Sequence, residues 1–353
     1  MGYFIGAMSV DLGKLVVRRK IALGELNGRT VAIDAFNVLY QFLSIIRGPD
    51  GTPLKDFKDN VTSHLSGLFY RTIELVDNGI TPIYVFDGVP SMLKQKTIEA
   101  RMNRREEAYQ EWQKAKEAGE LEEARKHAMQ STRINKYVIE SSKELLGYMG
   151  IAHINAPSEG EAQACEMCKA GLVYSAASQD YDTLLFATPR VVRNLTISGR
   201  RKLPRKNVYI NIEPEIVDLN ETLNGIGLSQ KQLIWVGILL GTDFNDGING
   251  VGPVTAVKIA KSAKSLQDVE KYVKEKYNQE FELDVKEVED LFTKPEVSKI
   301  DPKELDKEIG ILPDRRAMIK FMCDDHDFSK ERIEKFAEKL WEKRVSTKQR
   351  RLF

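Results

Sequence analysis

Three short apolar runs in this chain end at or just before an acid and pass into helix-forming sequence. Val31-Ala-Ile-Asp34 precedes a helix read over residues 37–46, with Leu39, Phe42, Leu43 and Ile46 on one face. Ile83-Tyr-Val-Phe86 runs into Asp87-Gly88, and the run from Tyr174 to Ser178 leads to Asp180 and Asp182. Between the first two lie the turn cluster Arg47-Gly-Pro-Asp-Gly51 and a second amphipathic helix, residues 61–76. That helix carries Leu65, Leu68, Phe69 and Ile73 on one stripe and is closed by Gly79. Successive strand–helix units of this kind predict a parallel sheet joined by right-handed crossovers. The expected fold class is therefore α/β, a twisted, mostly parallel sheet flanked by helices. Chemistry in such sheets gathers beyond the carboxyl ends of the strands, where Asp34, Asp87 and the Asp180/Asp182 pair all fall.

A second acidic pair, Glu159 and Glu161, follows Pro157-Ser158, a helix start with Ser158 as the expected N-cap. Folding can bring these acids together around a hard cation such as Mg²⁺ or Mn²⁺, which prefers oxygen ligands. Either pair alone is equally at home as an ordinary helix-start or turn acid. What decides between these readings is the company the pairs keep.

Residues 92–149 read as long, charged helices broken at Gly119, the first with a weak apolar stripe and early cations at Lys94, Lys96, Arg101, Arg104 and Arg105. Short strands follow at residues 151–154 and 191–195 and near Val208-Tyr-Ile210. Ser229 caps a helix over SQKQLIWVGILL that runs into Asp243 and then Gly250-Val-Gly-Pro253. A Gly-x-Gly-Pro turn between two helices exposes backbone amides at the second helix's start, a geometry that grips a phosphate without reading a base. The helix–hairpin–helix pattern favours that role over a plain connection. Residues 265–340 read as charged helix with loops, and His326, among Asp324, Asp325 and Asp327, reads as part of a solvated acidic turn before the Ser329 N-cap.

Composition narrows the class. The 353 residues carry 53 Lys and Arg against 52 Asp and Glu, a net charge of +1, so no global basic field announces nucleic acid. The cations are nonetheless segregated: residues 190–206 hold seven, and residues 343–351 hold five, with no acid in either stretch. Basic stripes beside an acidic cluster suit a metal nuclease, which must hold phosphates and polarise one. Three cysteines fit a reducing cytosol rather than a disulfide framework, and Cys165 and Cys168, a lone CxxC, read as core. No apolar stretch approaches transmembrane length, so no membrane partner is expected, and MGYFIGAM is too short for a signal peptide. Abundant Lys and Glu lean towards a thermophile.

The segments VAIDAFNVLYQFL, TSHLSGLFYRT, PIYVFDG, APSEGEAQA, ASQDYDTLLF, VRNLT, LLGTDFNDGINGVGP and FMCDDHDFSKERI together resemble the archaeal 5′ flap endonucleases, of the group that includes excision-repair nucleases. They span about residues 30–335 in the family's order. The resemblance implies a PIN-like 5′ nuclease core, a helical arch after residue 92 and a helix–hairpin–helix-type DNA-binding element. It implies a two-metal phosphodiester hydrolase whose metal-site carboxylates are Asp34, Asp87, Glu159, Glu161, Asp180, Asp182 and Asp243, with two Mg²⁺ per site and Mn²⁺ as a substitute. Physics agrees: at ~5 Å and an effective dielectric of ~20, each like-charged pair costs roughly 3 kcal/mol unless a cation intervenes.

By the same resemblance Lys94 and Arg101, two turns apart on one helix face, are catalytic cations that steer the scissile phosphate. Tyr40 is where a terminal base stacks. Arg47, Arg71, Arg104, Arg105, Arg193 and Lys258 are further DNA-contact candidates. Gly250 and Gly252 hold the duplex backbone, with K⁺ at the turn's carbonyls. The implied partners are branched DNA with a 5′ flap and a sliding clamp, reached through Gln349, Leu352 and Phe353, a clamp-binding box that stops before its aromatic pair. A monomer acting on the nucleoid in the cytoplasm of an archaeal cell is expected. Met8 aligns with the family's initiator and Ser9 replaces its usual Gly, so Met1 to Ala7 reads as an extension or a misassigned start. Val254 stands where the family has Lys.

The expected division is residues 1–110 for the N-terminal nuclease region and start of the arch, 111–150 for the rest of the arch, and 151–228 for the internal nuclease region. Residues 229–300 form the DNA-binding region, 301–340 a C-terminal helical segment and 341–353 a basic tail. The competing class is a non-catalytic DNA-junction binder, which gains nothing from seven carboxylates.

Overall fold

The computed structural model describes residues 10–197, 199–202 and 209–352, with 199–202, 209–211 and 348–352 described by backbone alone. Met1 to Ser9, Arg205, Lys206 and Phe353 lie outside the described residues, as do the side chains of Gln349 and Leu352. The chain runs through strands β1 (Arg18–Lys20) and β2 (Thr30–Asp34), then helices α1 (Ala35–Ile45) and α2 (Ser63–Asp77). Strand β3 (Thr81–Phe86) leads to α3 (Gln95–Glu117), α4 (Leu121–Gln130) and α5 (Lys136–Tyr148). Next come β4 (His153–Asn155), α6 (Gly160–Lys169), β5 (Ser175–Ala177), the single turn α7 (Asp182–Leu185) and β6 (Arg190–Arg193). A two-stranded hairpin, β7 (Gly199–Lys202) with β8 (Tyr209–Ile212), precedes β9 (Glu215–Asp218).

The main sheet has the order β1-β9-β6-β5-β2-β3-β4. Strands β6, β5, β2, β3 and β4 are mutually parallel, as the strand–helix alternation dictates, while β9 and β1 add antiparallel at one edge. Both faces of the parallel part are buried. Val31 and Ile33 of β2 and Tyr84 and Phe86 of β3 face α1, α2, α5 and the C-terminal helix, while Ala32, Ile83 and Val85 face α6. After β4 the chain crosses back over β2 and β3 to form β5 on the far side of β2. This reversal opens a crevice between β2 and β5 at their carboxyl ends, the switch point where α/β sheets place their sites.

Helices α3 and α4 make a small satellite core of their own from Trp112, Ala115, Ala124 and Ala128. Trp112 Nε1 donates to the Asp50 carbonyl at 3.0 Å, tying this helical pair to the 47–53 turn. The expected break at Gly119 is present, with φ of 73°, and a further break separates α4 from α5. The helices α8 (Leu219–Ile226), α9 (Gln230–Leu240), α10 (Pro253–Ser262), α11 (Leu266–Tyr277) and α12 (Val285–Thr293) follow. With α7 they build a second core around Trp235, Ile238 and Phe292. Ser229 caps α9 through a capping box with Gln232. The chain ends with α13 (Pro302–Ile309), α14 (Arg315–Ile319) and α15 (Lys330–Leu352). Cys165 and Cys168 are buried, as expected. No helix among the described residues is long and apolar enough to cross a membrane.

One expectation fails here. His326 is not in a solvated turn but buried, with Nδ1 2.8 Å from the Phe321 carbonyl and Nε2 2.9 Å from the Tyr137 hydroxyl. Its acidic neighbours in sequence point elsewhere, Asp325 to Lys320 and Asp327 to the Phe57 amide.

Candidate active site

A pocket of about 610 Å³ opens at the switch point, lined by Asp34, Asp87, Glu159, Glu161, Asp180 and Asp243 together with Lys94 and Arg101. Asp182 stands behind its wall, accepting from the Val10 amide at 2.9 Å. Each acid arrives by a different local device. Asp34 is the last residue of β2 and the N-cap of α1, accepting from the Asn37 amide at 3.0 Å. Asp87 follows β3 directly and accepts from the Gly160 amide at 2.7 Å. Glu161 lies in the first turn of α6, where the Ser178 and Thr183 hydroxyls donate to Oε1 at 2.6 and 2.7 Å. Asp243 is presented by a turn after α9 that Asn245 closes, its side chain accepting from Thr242 Oγ1 at 2.8 Å and donating to the Ile238 carbonyl at 2.8 Å.

Ser158 does not cap α6. The N-cap is Glu159, without a side-chain cap bond, because a tertiary acceptor, Asp87, takes the Gly160 amide at the start of the helix. This close approach forbids a side chain at 160: a Cβ there would sit 2.6 Å from Asp87 Oδ1 and 3.3 Å from the Val85 carbonyl oxygen. Gly160→Ala is accordingly expected to displace the Asp87 carboxylate and lower divalent-ion affinity about tenfold, read by titration calorimetry, with the circular dichroism spectrum unchanged.

Two cations enter from the sequence after β3. Lys94 pairs with Glu159 and stands 3.5 Å from Asp243, and Arg101 bonds the other oxygen of Asp243. The buried Nε of Arg101 has no hydrogen-bond partner among the described residues. Burial drives Lys94 towards the neutral form, but Glu159, Asp243 and Asp87 outweigh it and hold the ammonium charged.

The acids show the opposite strain. Burial, reinforced by Asp243 and Asp180, pushes Asp182 up to about 8. Burial with Glu159 raises Asp87 to about 6, and burial with Asp243 raises Asp180 to about 6. Asp34 and Glu161 are raised well above the carboxylate range by burial and by their acidic neighbours. A cluster of buried oxygens that resists ionising for want of positive charge fits a hard divalent ion. Among the described residues, however, no three acidic, His or Cys side chains converge closely enough to hold an ion as they stand. Lys94 and Arg101 lie among them instead.

The sign of the pH effect follows. Acids raised in the fold bind more protons there than in the unfolded chain, so these groups stabilise the ion-free protein most below their ordinary value of 3.8. It loses that stability as pH rises through about 6 and 8. Ions held by these acids would compete with the same protons, so the Mg²⁺ concentration that half-fills the site is expected to fall as pH rises from 6 to 8. Calorimetric titration with Mg²⁺ at several pH values checks this, and a pH-independent midpoint contradicts it.

Residues 9–108 match the XPG N-terminal domain and residues 150–243 the XPG I-region. The chain is 50% identical over 334 residues to flap endonuclease 1 of Thermococcus onnurineus, covering 94% of each chain. It is 48% identical to flap endonuclease 1 of Pyrococcus furiosus, covering 94% of this chain and 95% of that protein. The chain belongs to the flap endonuclease 1 family. Its fold agrees with that of flap endonuclease-1 from Methanococcus jannaschii, with a TM-score of 0.73 and 37% identity over 96% of this chain and 99% of that one.

The remaining candidates separate. Tyr40 lines the pocket with the Arg105 guanidinium 5.2 Å from its ring centre. Arg193 lines it too, bonded to the Tyr181 hydroxyl and donating to the Gln179 carbonyl at 3.2 Å. Arg104 is exposed on α3 and Lys258 on α10. Gly250 has φ of 85°, which only glycine adopts without strain, and Gly252 is the N-cap of α10, whose Pro253 occupies the first turn. Arg47 and Arg71 face inward. Arg47 donates to the Leu43 and Gly51 carbonyls at 2.7 and 2.8 Å and to Thr132 at 2.9 Å. Arg71 is buried, holding the Leu195 carbonyl and pairing with Glu74. Both sites engage the guanidinium with the fold's own carbonyls, which an arginine count along the sequence does not register.

Sequence reasoning passed over Asn37, Gln41, Ser178 and Thr183, all of which touch the carboxylates directly or through one neighbour. The available signal was spacing: Asn37 lies three residues after Asp34, and Ser178 two before Asp180.

Proposed function

We propose that this chain is a divalent-metal-dependent, structure-specific 5′ flap endonuclease with 5′→3′ exonuclease activity, hydrolysing DNA phosphodiesters at flap–duplex junctions in replication, including Okazaki fragment maturation, and in repair. The observation that carries the reading is the meeting of strand-end carboxylates with Lys94 and Arg101 in one pocket, in a chain that belongs to the flap endonuclease family.

Asp34, Asp87, Glu159, Glu161, Asp180, Asp182 and Asp243 would hold two Mg²⁺, or Mn²⁺ in their place, some through water. Divalent ions held there supply positive charge that makes a bound water nucleophilic and stabilises the leaving oxygen. The chain's own groups do the rest. Lys94 and the Nε of Arg101, which has no partner among the described residues, offer donors to a non-bridging oxygen of the scissile phosphate, drawing it towards the acids. Tyr40 presents a ring face to the terminal base, with Arg105 behind it. Helices α3 and α4 form an arch over a free 5′ strand, and Arg104, Arg193 and Lys258 add contacts to the DNA.

The positive-φ turn at Gly250 and the exposed start of α10 at Gly252 offer amides to the duplex backbone, with K⁺ at the turn's carbonyls. Gln349, Leu352 and Phe353 would engage a sliding clamp, the protein otherwise acting as a monomer on the nucleoid in an archaeal cytoplasm. Incubation with a 5′-labelled double-flap duplex, in Mg²⁺ or in EDTA, tests the reading. Incision near the junction only with Mg²⁺ is the expected result; binding without incision overturns it in favour of a junction binder.

A further inference from the structure

We infer that Asn37 is a positioning residue of the carboxylate cluster, tying Asp34 to Asp180 across the crevice and braced from behind by Gln41 and Thr196. The inference rests on the reading above in taking this cluster as the ion site.

Asn37 uses two donors on two acids. Its backbone amide donates to Asp34 Oδ1 at 3.0 Å, and its side-chain Nδ2 donates to Asp180 Oδ2 at 3.0 Å. These acids end β2 and follow β5, the neighbouring strands that bound the switch point. The Asn37 side-chain oxygen in turn accepts from Gln41 Nε2 at 2.6 Å, one helical turn further along α1. Gln41 Oε1 accepts from the buried Thr196 hydroxyl at 3.0 Å. Thr196 follows Leu195, whose carbonyl Arg71 grips. The relay therefore runs from the core through Thr196, Gln41 and Asn37 to Asp180.

Its polarity is fixed. Turning over either amide would place an oxygen against an oxygen or an NH₂ against an NH₂, so the chain delivers a donor, never an acceptor, to the carboxylate. This matters at Asp180, which lines the pocket beside Asp34 and Asp243 and receives the Asn37 amide on Oδ2. A partner one bond away from a metal carboxylate typically alters ion affinity ~10–100-fold.

The test measures Mn²⁺ binding to the full chain without DNA, by calorimetry, alongside melting in EDTA. Asn37→Leu, close in shape but without donors on its side chain, is expected to weaken Mn²⁺ binding ~10-fold or more with little change in melting. Thr196→Val should weaken it less, and adding Thr196→Val to Asn37→Leu should change nothing further, because Thr196 acts only through the relay. Should Asn37→Leu fail to fold, Gln41→Leu removes the brace alone and is expected to weaken binding in the same direction. Unchanged Mn²⁺ affinity in the folded variant, or full additivity of the two losses, overturns the inference. Wild-type protein that takes up no Mn²⁺ overturns it together with the metal reading. Wild-type protein that binds Mn²⁺ and cuts flaps, beside variants that bind equally well, overturns it alone.

Discussion

Asp180→Ala combined with Asp182→Ala is expected to reduce single-turnover cleavage of a 5′-flap duplex by ~10³-fold or more, about 4 kcal/mol of transition-state stabilisation. The pair stands at the end of β5, where Asp180 faces the pocket beside Arg101 and Asp182 lies behind it. Both are raised by burial and by Asp243, and the cations opposing this are Arg101 and Arg193 at Asp180 and Lys94 at Asp182. Removing them deletes two of the acids gathered between β5 and the Asp243 turn. The companion readout is thermal: Mg²⁺ should raise the melting temperature of the wild-type chain and leave that of the double variant nearly unmoved. Flap binding measured in EDTA or Ca²⁺ should persist, since the change removes negative charge from a site that receives a polyanion. Retained cleavage in the folded double variant defeats the two-metal proposal, whatever else binds the flap.

The second large effect is expected at Lys94. Substitution by alanine should lower single-turnover cleavage ~10²-fold, about 2.7 kcal/mol, and Arg101→Ala should act in the same direction. Lys94 lies in the short turn before α3 and reaches Glu159 and Asp243, with Phe244 beneath it, the ammonium 5.6 Å from the ring centre. Without DNA it partly neutralises acids from two separate elements. A phosphate entering the pocket offers it a third partner. Two consequences distinguish this role from a merely structural ion pair. Lys94→Ala should bind flap DNA with little loss yet cut it slowly. It should also gain more from Mg²⁺ in melting temperature than wild type does, because the ion replaces the missing charge. A loss of cleavage smaller than about threefold, with melting unaffected, would reduce Lys94 to a surface-type pair worth under ~1 kcal/mol.

How much of this was legible before any coordinates depends on the range of the forces involved. The alternation around Val31–Asp34 and Ile83–Asp87 is local physics: β-branched runs that suit a strand, an acid that caps the following helix or turn, an amphipathic stripe at helical period. It fixed the parallel sheet and placed Asp34, Asp87 and Asp180 at strand ends, from which a shared site followed. The Ser229 cap, the break at Gly119 and the turn at Gly250 were legible for the same reason, since each depends on the conformation of one or two residues.

Tertiary structure decided the rest wherever a polar group had to choose among distant partners. The start of α6 looked capped by Ser158, yet Asp87, seventy-three positions away, takes the Gly160 amide. Arg47 and Arg71 looked like phosphate ligands, yet carbonyls of the fold reach them first. His326 looked solvated among its aspartates, yet the Tyr137 hydroxyl and the Phe321 carbonyl bury it. Strand β1 is Arg18-Arg-Lys20, exposed throughout, so no apolar pattern announces it, and antiparallel pairing with β9 at the sheet edge defines it. The sequence by itself determined which acids and cations this protein possesses and at which strand and helix ends they sit, because covalent spacing and backbone period set those. Only the folded chain decided which amide, hydroxyl or ammonium each acid meets, because a hydrogen bond is selected by distance in space and by the cost of leaving a buried group unpaired.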